Sequence, residues 1–146
     1  MLLALPRLGG AFCVALAVVY EGLTSFPNSG KTLAFGIPAL SRLLSSLPSA
    51  TSKRSKKGKS SDLSEISVLV VAPTRELAIQ THDTLSALGG PLGIGSAAVF
   101  GGVDKGAQAR MLRSGVAENG GTVRIVVGTP GRIIDLVADE VLDLSQ

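Results

Sequence analysis

Apolar positions along this 146-residue chain fall into two rhythms, one helical and one extended, that take turns from Lys31 onward. From Lys31 the spacing is helical, with Leu33, Ile37, Leu40 and Leu44 on one face and a serine-rich stretch from Ser45 as its end. The run Ile66 to Ala72 is β-branched, about seven residues long and closed by Pro73, which predicts a strand buried on both faces of a parallel sheet. Thr74 can cap a helix whose Leu77, Ala78, Thr81, Leu85 and Leu88 recur at helical spacing, and Gly89-Gly90-Pro91 stops it. A second strand is expected over Ile94 to Phe100, a turn at Gly101-Gly102, and a helix carrying Ala107, Met111 and Leu112. Val123 to Val127 reads as a third strand, ended by Gly128-Thr129-Pro130-Gly131.

Strands that alternate with helices specify an α/β domain with a largely parallel sheet flanked by helices. Ligands of such sheets bind beyond the carboxyl ends of the strands. Pro73-Thr74-Arg75, Gly101-Gly102 and Thr129-Pro130-Gly131-Arg132 each follow a strand, so the three are expected on one rim.

Composition narrows the picture. The length suits one domain with a real core, and 45% hydrophobic residues suit a globular chain. The single cysteine, Cys13, excludes a disulfide framework, and with the lone His82 it forms no metal-ligand cluster; both read as structural or incidental. The net charge of +3 is local: Lys53, Arg54, Lys56, Lys57 and Lys59 lie in one serine- and lysine-rich stretch, and the nine other basic residues are outnumbered by 11 acidic ones. Residues 45–67 therefore read as an exposed, flexible basic insertion, with KRSKKGK either a solvated surface, a nuclear-import signal or a weak phosphate patch. The apolar run Gly9 to Tyr20 is too short for a bilayer, which takes about 20 residues, so no membrane protein is expected. Ala15-Leu16-Ala17 has the small residues of a secretory cleavage site, but Arg7 is the only charge ahead of it.

Ser29-Gly30-Lys31-Thr32 has the lysine, the hydroxyl and the helix start of a phosphate cradle, in which backbone N–H groups and the ammonium face phosphates and the hydroxyl ligates Mg²⁺. The strict phosphate-loop spacing would put a glycine where Ser25 stands, and Asn28 precedes the motif. The short motif alone also fits a plain helix start.

The order settles the choice. Downstream of Gly30-Lys31-Thr32 come Pro73-Thr74-Arg75-Glu76-Leu77-Ala78 with Gln80, then Gly101-Gly102, then Thr129-Pro130-Gly131-Arg132, and Leu33 to Leu40 follows the cradle. This sequence closely resembles the first RecA-like domain of the DEAD-box RNA helicases, over about Ser29 to Val137. The resemblance implies an incomplete RecA-like P-loop domain, with ATP and Mg²⁺ as ligands and single-stranded RNA, held by its sugar-phosphate backbone without sequence preference, as partner. It assigns ATP binding to Asn28, Ser29, Gly30, Lys31 and Thr32, with Lys31 on the β/γ-phosphates and Thr32 on Mg²⁺. It assigns RNA binding to Pro73, Thr74, Arg75, Gly101, Gly102, Thr129, Gly131 and Arg132. The chemistry suits the residues: the arginines can pair with phosphates, the threonines can donate, and the glycines admit close backbone approach. The competing reading of Pro-Thr and Thr-Pro-Gly is that they cap helices.

The chain departs from the family at both ends. Where the family has A-x-T-G before the cradle, this chain has Ser25-Phe26-Pro27-Asn28; asparagine tolerates positive φ, but Pro27 removes a loop N–H. Tyr20 to Thr24 is poorly apolar for a first strand, and no adenine-reading glutamine motif is visible. Residues 1–28 are accordingly expected to be an apolar leader of non-helicase origin, such as translated intron, and residues 29–146 the partial ATP-binding domain. Ala138-Asp139-Glu140 follows a helix pattern rather than an apolar strand and does not replace the carboxylates that hold Mg²⁺ and orient water, so no catalytic residue is assigned and the stretch is expected to be inactive by itself. The alternatives are an RNA-binding or dominant-negative fragment without ATP, and another P-loop NTPase, which would need an aspartate ending a strand where Gly128-Thr129 stands. The basic insertion suggests the nucleus or nucleolus.

Overall fold

In a computed structural model, described for residues 3–4, 15–16, 30–46 and 66–142, three parallel strands form the sheet that organises the chain. Leu3–Ala4 (β1) and Ala15–Leu16 (β2) pair antiparallel, and β2 lies against the sheet's first strand. Lys31–Ser46 (α1) leads to Val68–Val71 (β3), Arg75–Gly89 (α2), Ile94–Val99 (β4), Lys105–Ser114 (α3), Thr122–Gly128 (β5) and Pro130–Ala138 (α4). The strand order is β3-β5-β4. The connection through α2 joins the two edge strands across central β5 and that through α3 joins neighbours, and each helix covers a face of the sheet.

The faces are fixed by alternation along the strands. Val68, Val70, Ala72, Ile125 and Val127 pack with Phe35, Ala39, Leu40, Leu43, Ala78 and Leu85 beneath α1 and α2. Leu69, Val123, Val126, Ala97 and Val99 pack with Leu112, Ile133 and Leu136 beneath α3 and α4. Val123 and Ile125 would share a face in a regular strand, yet they belong to opposite cores. The cause is a bulge: Gly95 pairs with Val123 and Ser96 with Ile125, so Arg124 is an extra residue that resets the alternation.

The expected α/β class with a parallel sheet is therefore found, and so are the three strands and the helices between them. Two helix faces differ from expectation. In α1 the buried residues are Phe35, Ala39, Leu40 and Leu43, while Leu33, Ile37 and Leu44 are exposed, Ile37 at 56%. α1 carries apolar residues on more than one stripe, and the stripe that faces inward brings Gly36 close to α2, where a Cβ would lie 2.7 Å from Leu85 Cδ2. In α3 the buried pair is Gln108 and Leu112, with Ala107 exposed. Cys13 and the basic run Lys53 to Lys59 lie outside the described residues. No helix among the described residues is long and apolar enough to cross a membrane.

Candidate functional site

The three strands end at one level, with Val71 and Val99 both opposite Gly128. Ala72 N donates to Gly128 O at 2.8 Å and Thr129 N donates to Val99 O at 3.0 Å, so the segments leaving the strands start side by side. The sequence-predicted rim exists. Gly128 is what lets it close: a Cβ there would run into Val99 Cγ2 and stand 2.6 Å from Val99 O.

On this rim the first segment offers a capped helix and an outward cation. Thr74 is extended, and its Oγ1 accepts from Leu77 N at 3.3 Å, so the capping reading of Thr74 holds. The hydroxyl proton of Thr74 is not consumed by that bond, because a cap accepts. Arg75, at the start of α2, is exposed and stacks its guanidinium 4.9 Å from the centroid of the Phe100 ring. A Cβ on Gly102 would lie 3.7 Å from Arg75 Nη1, so the cation borders the glycine turn.

In the turn itself Gly102 has φ +81°, a conformation that favours glycine. Gly101 has nothing within 4 Å of the position a Cβ would take, and neither has Gly131 in the first turn of α4. Bare backbone with open space above it is therefore presented by two of the three segments. Asp104 anchors the far end of the turn by capping α3, its carboxylate accepting from Gly106 N and Ala107 N at 3.0 Å each.

The third segment behaves differently in its two polar residues. Thr129 is the N-cap residue of α4 but makes no side-chain capping bond, so its hydroxyl is not committed to the helix. Arg132 turns inward. Its Nη1 donates to Gln108 Oε1 at 2.6 Å and its Nη2 to Val103 O at 3.0 Å, while Nε is buried without a partner. Gln108, Phe100 and Val103 belong to this site and were not singled out from the sequence. The available signal was Gln108 itself, a polar residue four before Leu112 and hence on the buried face of α3.

At the other motif, Gly30 has φ +67°, open space around its would-be Cβ, and a carbonyl that accepts from Ala34 N at 3.0 Å at the start of α1. Lys31 is the first residue of that helix and Thr32 is half-buried in its first turn. A 16-residue helix that starts on a glycine at positive φ suits a phosphate, since its first N–H groups lack partners and carry the positive end of the dipole. Asn28 and Ser29 lie outside the described residues. Ala138-Asp139-Glu140 is not at a strand end: Asp139 follows α4 and pairs with Lys105 at 2.7 Å. That carboxylate's hydrogen bond and charge hold Lys105 above its usual pKa. His82 Nδ1 shares a 3.0 Å hydrogen bond with Ser96 Oγ, tying α2 to β4. Among the described residues no group of three His, Cys, Asp or Glu could hold a metal.

A family model described as DEAD/DEAH box helicase matches residues 24–146. An ATP-dependent RNA helicase DBP3 from Mycosarcoma maydis is 48% identical over 118 residues, covering 81% of this chain and 19% of the relative. A DEAD-box ATP-dependent RNA helicase 5 from Arabidopsis thaliana is 46% identical over the same length, with the same coverage. The chain thus spans about a fifth of the curated relatives it matches. Among solved structures, a hypothetical ATP-dependent RNA helicase from Sulfolobus tokodaii superposes with a TM-score of 0.57 at 31% identity, covering 83% of this chain and 28% of that one. The yeast DEAD-box splicing factor Prp28 gives a TM-score of 0.62 at 25% identity, covering 84% and 25%.

Proposed function

This chain belongs to the DEAD/DEAH box helicase family, and from that membership we propose that its strand-end rim binds the sugar-phosphate backbone of single-stranded RNA. The observation that carries the reading is the juxtaposition at the glycine turn: the Arg75 guanidinium on Phe100 beside Gly102, with open space over Gly101. Arg75 supplies charge to a phosphate, Thr74 and Thr129 supply hydroxyl donors, and Gly101, Gly102 and Gly131 let backbone N–H groups come close. Pro73 fixes the chain between β3 and the Thr74 cap. All of these contacts address the backbone, so sequence-independent binding is expected.

The same reading gives Gly30, Lys31 and Thr32 the phosphates and Mg²⁺ of ATP, with Asn28 and Ser29 completing the loop. ATP supplies the free energy for strand separation in a whole helicase. Residues 1–146 by themselves are proposed to bind without turning ATP over, since among the described residues no strand of the parallel sheet ends in a carboxylate that could capture Mg²⁺. The basic run Lys53 to Lys59 supports a nuclear address.

Titration of the chain with a fluorescent single-stranded oligoribonucleotide at several salt concentrations tests the RNA reading. Each phosphate neutralised contributes a slope of about −0.7 in log K against log salt. Arg75→Ala should weaken binding and reduce that slope by about one contact's worth. Wild-type affinity and slope in this variant would remove Arg75 from the interface and the reading with it.

A further inference from the structure

We infer that Arg132 is a positioning residue that sets the Gly101-Gly102 turn, directly at Val103 and through Gln108 at Phe100, and that Arg75 alone of the two rim arginines presents its charge outward. The inference rests on the RNA reading of this rim for its functional meaning, but its geometry stands by itself. The guanidinium of Arg132 spends Nη1 on Gln108 Oε1 (2.6 Å) and Nη2 on Val103 O (3.0 Å), and its Nε is enclosed. A phosphate could take this fork only by breaking a short, charge-assisted hydrogen bond. Gln108, 6% exposed, completes the device: its Nε2 donates to Phe100 O at 3.3 Å. The amide orientation is dictated from both sides, because a flipped Gln108 would set NH₂ against the guanidinium and oxygen against a carbonyl.

The consequence lies in which carbonyls are held. Phe100 O and Val103 O stand at the two ends of the glycine pair, and each receives a side-chain donor from a different helix, Gln108 of α3 and Arg132 of α4. Glycines have the widest conformational freedom of any residue, so a turn built on two of them needs its ends fixed. Arg132 and Gln108 supply that restraint from below and leave the upper face bare. Lysine cannot substitute, since one ammonium on a flexible stem does not reproduce two parallel donors.

The test compares Arg132→Lys, Arg132→Ala, Gln108→Ala, the Arg132→Lys/Gln108→Ala double variant and Arg75→Ala in the 146-residue chain. Amide hydrogen exchange of Gly101 to Asp104 and the salt dependence of oligoribonucleotide binding are both measured. Arg132→Lys and Gln108→Ala should each speed exchange in the turn by roughly ten-fold, the equivalent of one charge-assisted hydrogen bond, and the double variant by more than either alone but less than their product, because the Arg132–Gln108 bond is shared. Both should weaken RNA binding at an unchanged salt slope, whereas Arg75→Ala lowers the slope. Wild-type exchange in the turn of Arg132→Lys overturns the inference. So does an Arg132→Ala variant that lowers the salt slope by one contact while Gln108→Ala binds normally. If no variant or parent binds RNA, the RNA reading fails, and the exchange data still decide whether the brace exists. Melting transitions at wild-type cooperativity in the lysine and Gln108 variants separate a local loosening from global unfolding.

Discussion

Gly131 and Gly128 sit three residues apart and demand glycine for opposite reasons. Gly131 lies in the first turn of α4 with open space around it, where alanine would suit a helix better by about 0.5–1 kcal/mol. Gly131→Ala should therefore raise the stability read from urea melts while weakening binding of single-stranded RNA. Unchanged RNA affinity would detach Gly131 from the interface. Gly128 is packed against Val99 O and Ile133 Cγ1, so Gly128→Ala should destabilise by about 1–3 kcal/mol, the usual penalty for overpacking, in the same melts. One glycine is kept for the ligand and the other for the fold.

Two threonines at helix starts separate in the same way at the level of elements. Thr74 caps α2 through its hydroxyl, so Thr74→Ala should cost about 1 kcal/mol of unfolding free energy. Thr129 makes no capping bond to α4, and Thr129→Ala should cost distinctly less while still reducing RNA affinity. Equal losses of stability would return Thr129 to the capping role. The helix ends also set a pH response. Lys105 sits at the start of α3 and Asp139 just after α4, each at the end of its helix that the dipole disfavours, and they pair with one another instead. Asp139 raises the Lys105 pKa above the usual 10.5, so the pair's stabilisation is present at neutral pH and is lost only as pH rises above 10.5 through the folded-state value. The pair is exposed and its effect is small, so melts in Lys105→Met should match the parent more closely at high pH and at high salt than at neutral pH and low salt.

Across the whole molecule, β3 is an edge strand of the three-stranded sheet, and β2 lies against it without joining its ladder, so the outer side of β3 pairs with no strand among the described residues. Apolar edge strands are templates for pairing with another chain. Residues 1–146 alone should self-associate as concentration rises in sedimentation velocity, and a monomer with a single cooperative melt would count against this. The same preparation should release no phosphate from ATP with or without RNA. RNA-stimulated release that disappears in Lys31→Ala would refute the proposed inactivity. For the proposed leader, a transcript encoding Ala-x-Thr-Gly before Ser29 would mark residues 1–28 as intron, and peptides spanning Val14 to Lys31 would mark them as protein. The family match begins at residue 24 and so overlaps the last five residues of that leader.

Sequence by itself determined the three parallel strands, the helices between them and the convergence of three motifs, but not the β1–β2 pair, because strand runs such as Ile66 to Ala72 and Val123 to Val127 are unambiguous and parallel strands must place their following loops at one end. It also determined the family, because the order of short motifs is far more specific than any one of them. Tertiary structure decided whatever depends on a neighbour from another element. α1 has more than one apolar stripe, and its packing against α2 and the sheet buries Phe35, Ala39 and Leu43 while leaving Leu33, Ile37 and Leu44 exposed, with Gly36 close to Leu85. The bulge at Arg124 is invisible in a one-dimensional pattern because it is a property of pairing with Gly95 and Ser96. Arg75 and Arg132 look equivalent in sequence, each following a Thr-containing turn at a strand end. Phe100 gives one of them a ring to rest on at the surface, and Gln108 gives the other a buried acceptor 2.6 Å away, so their roles diverge through partners that lie 25 and 24 residues distant along the chain.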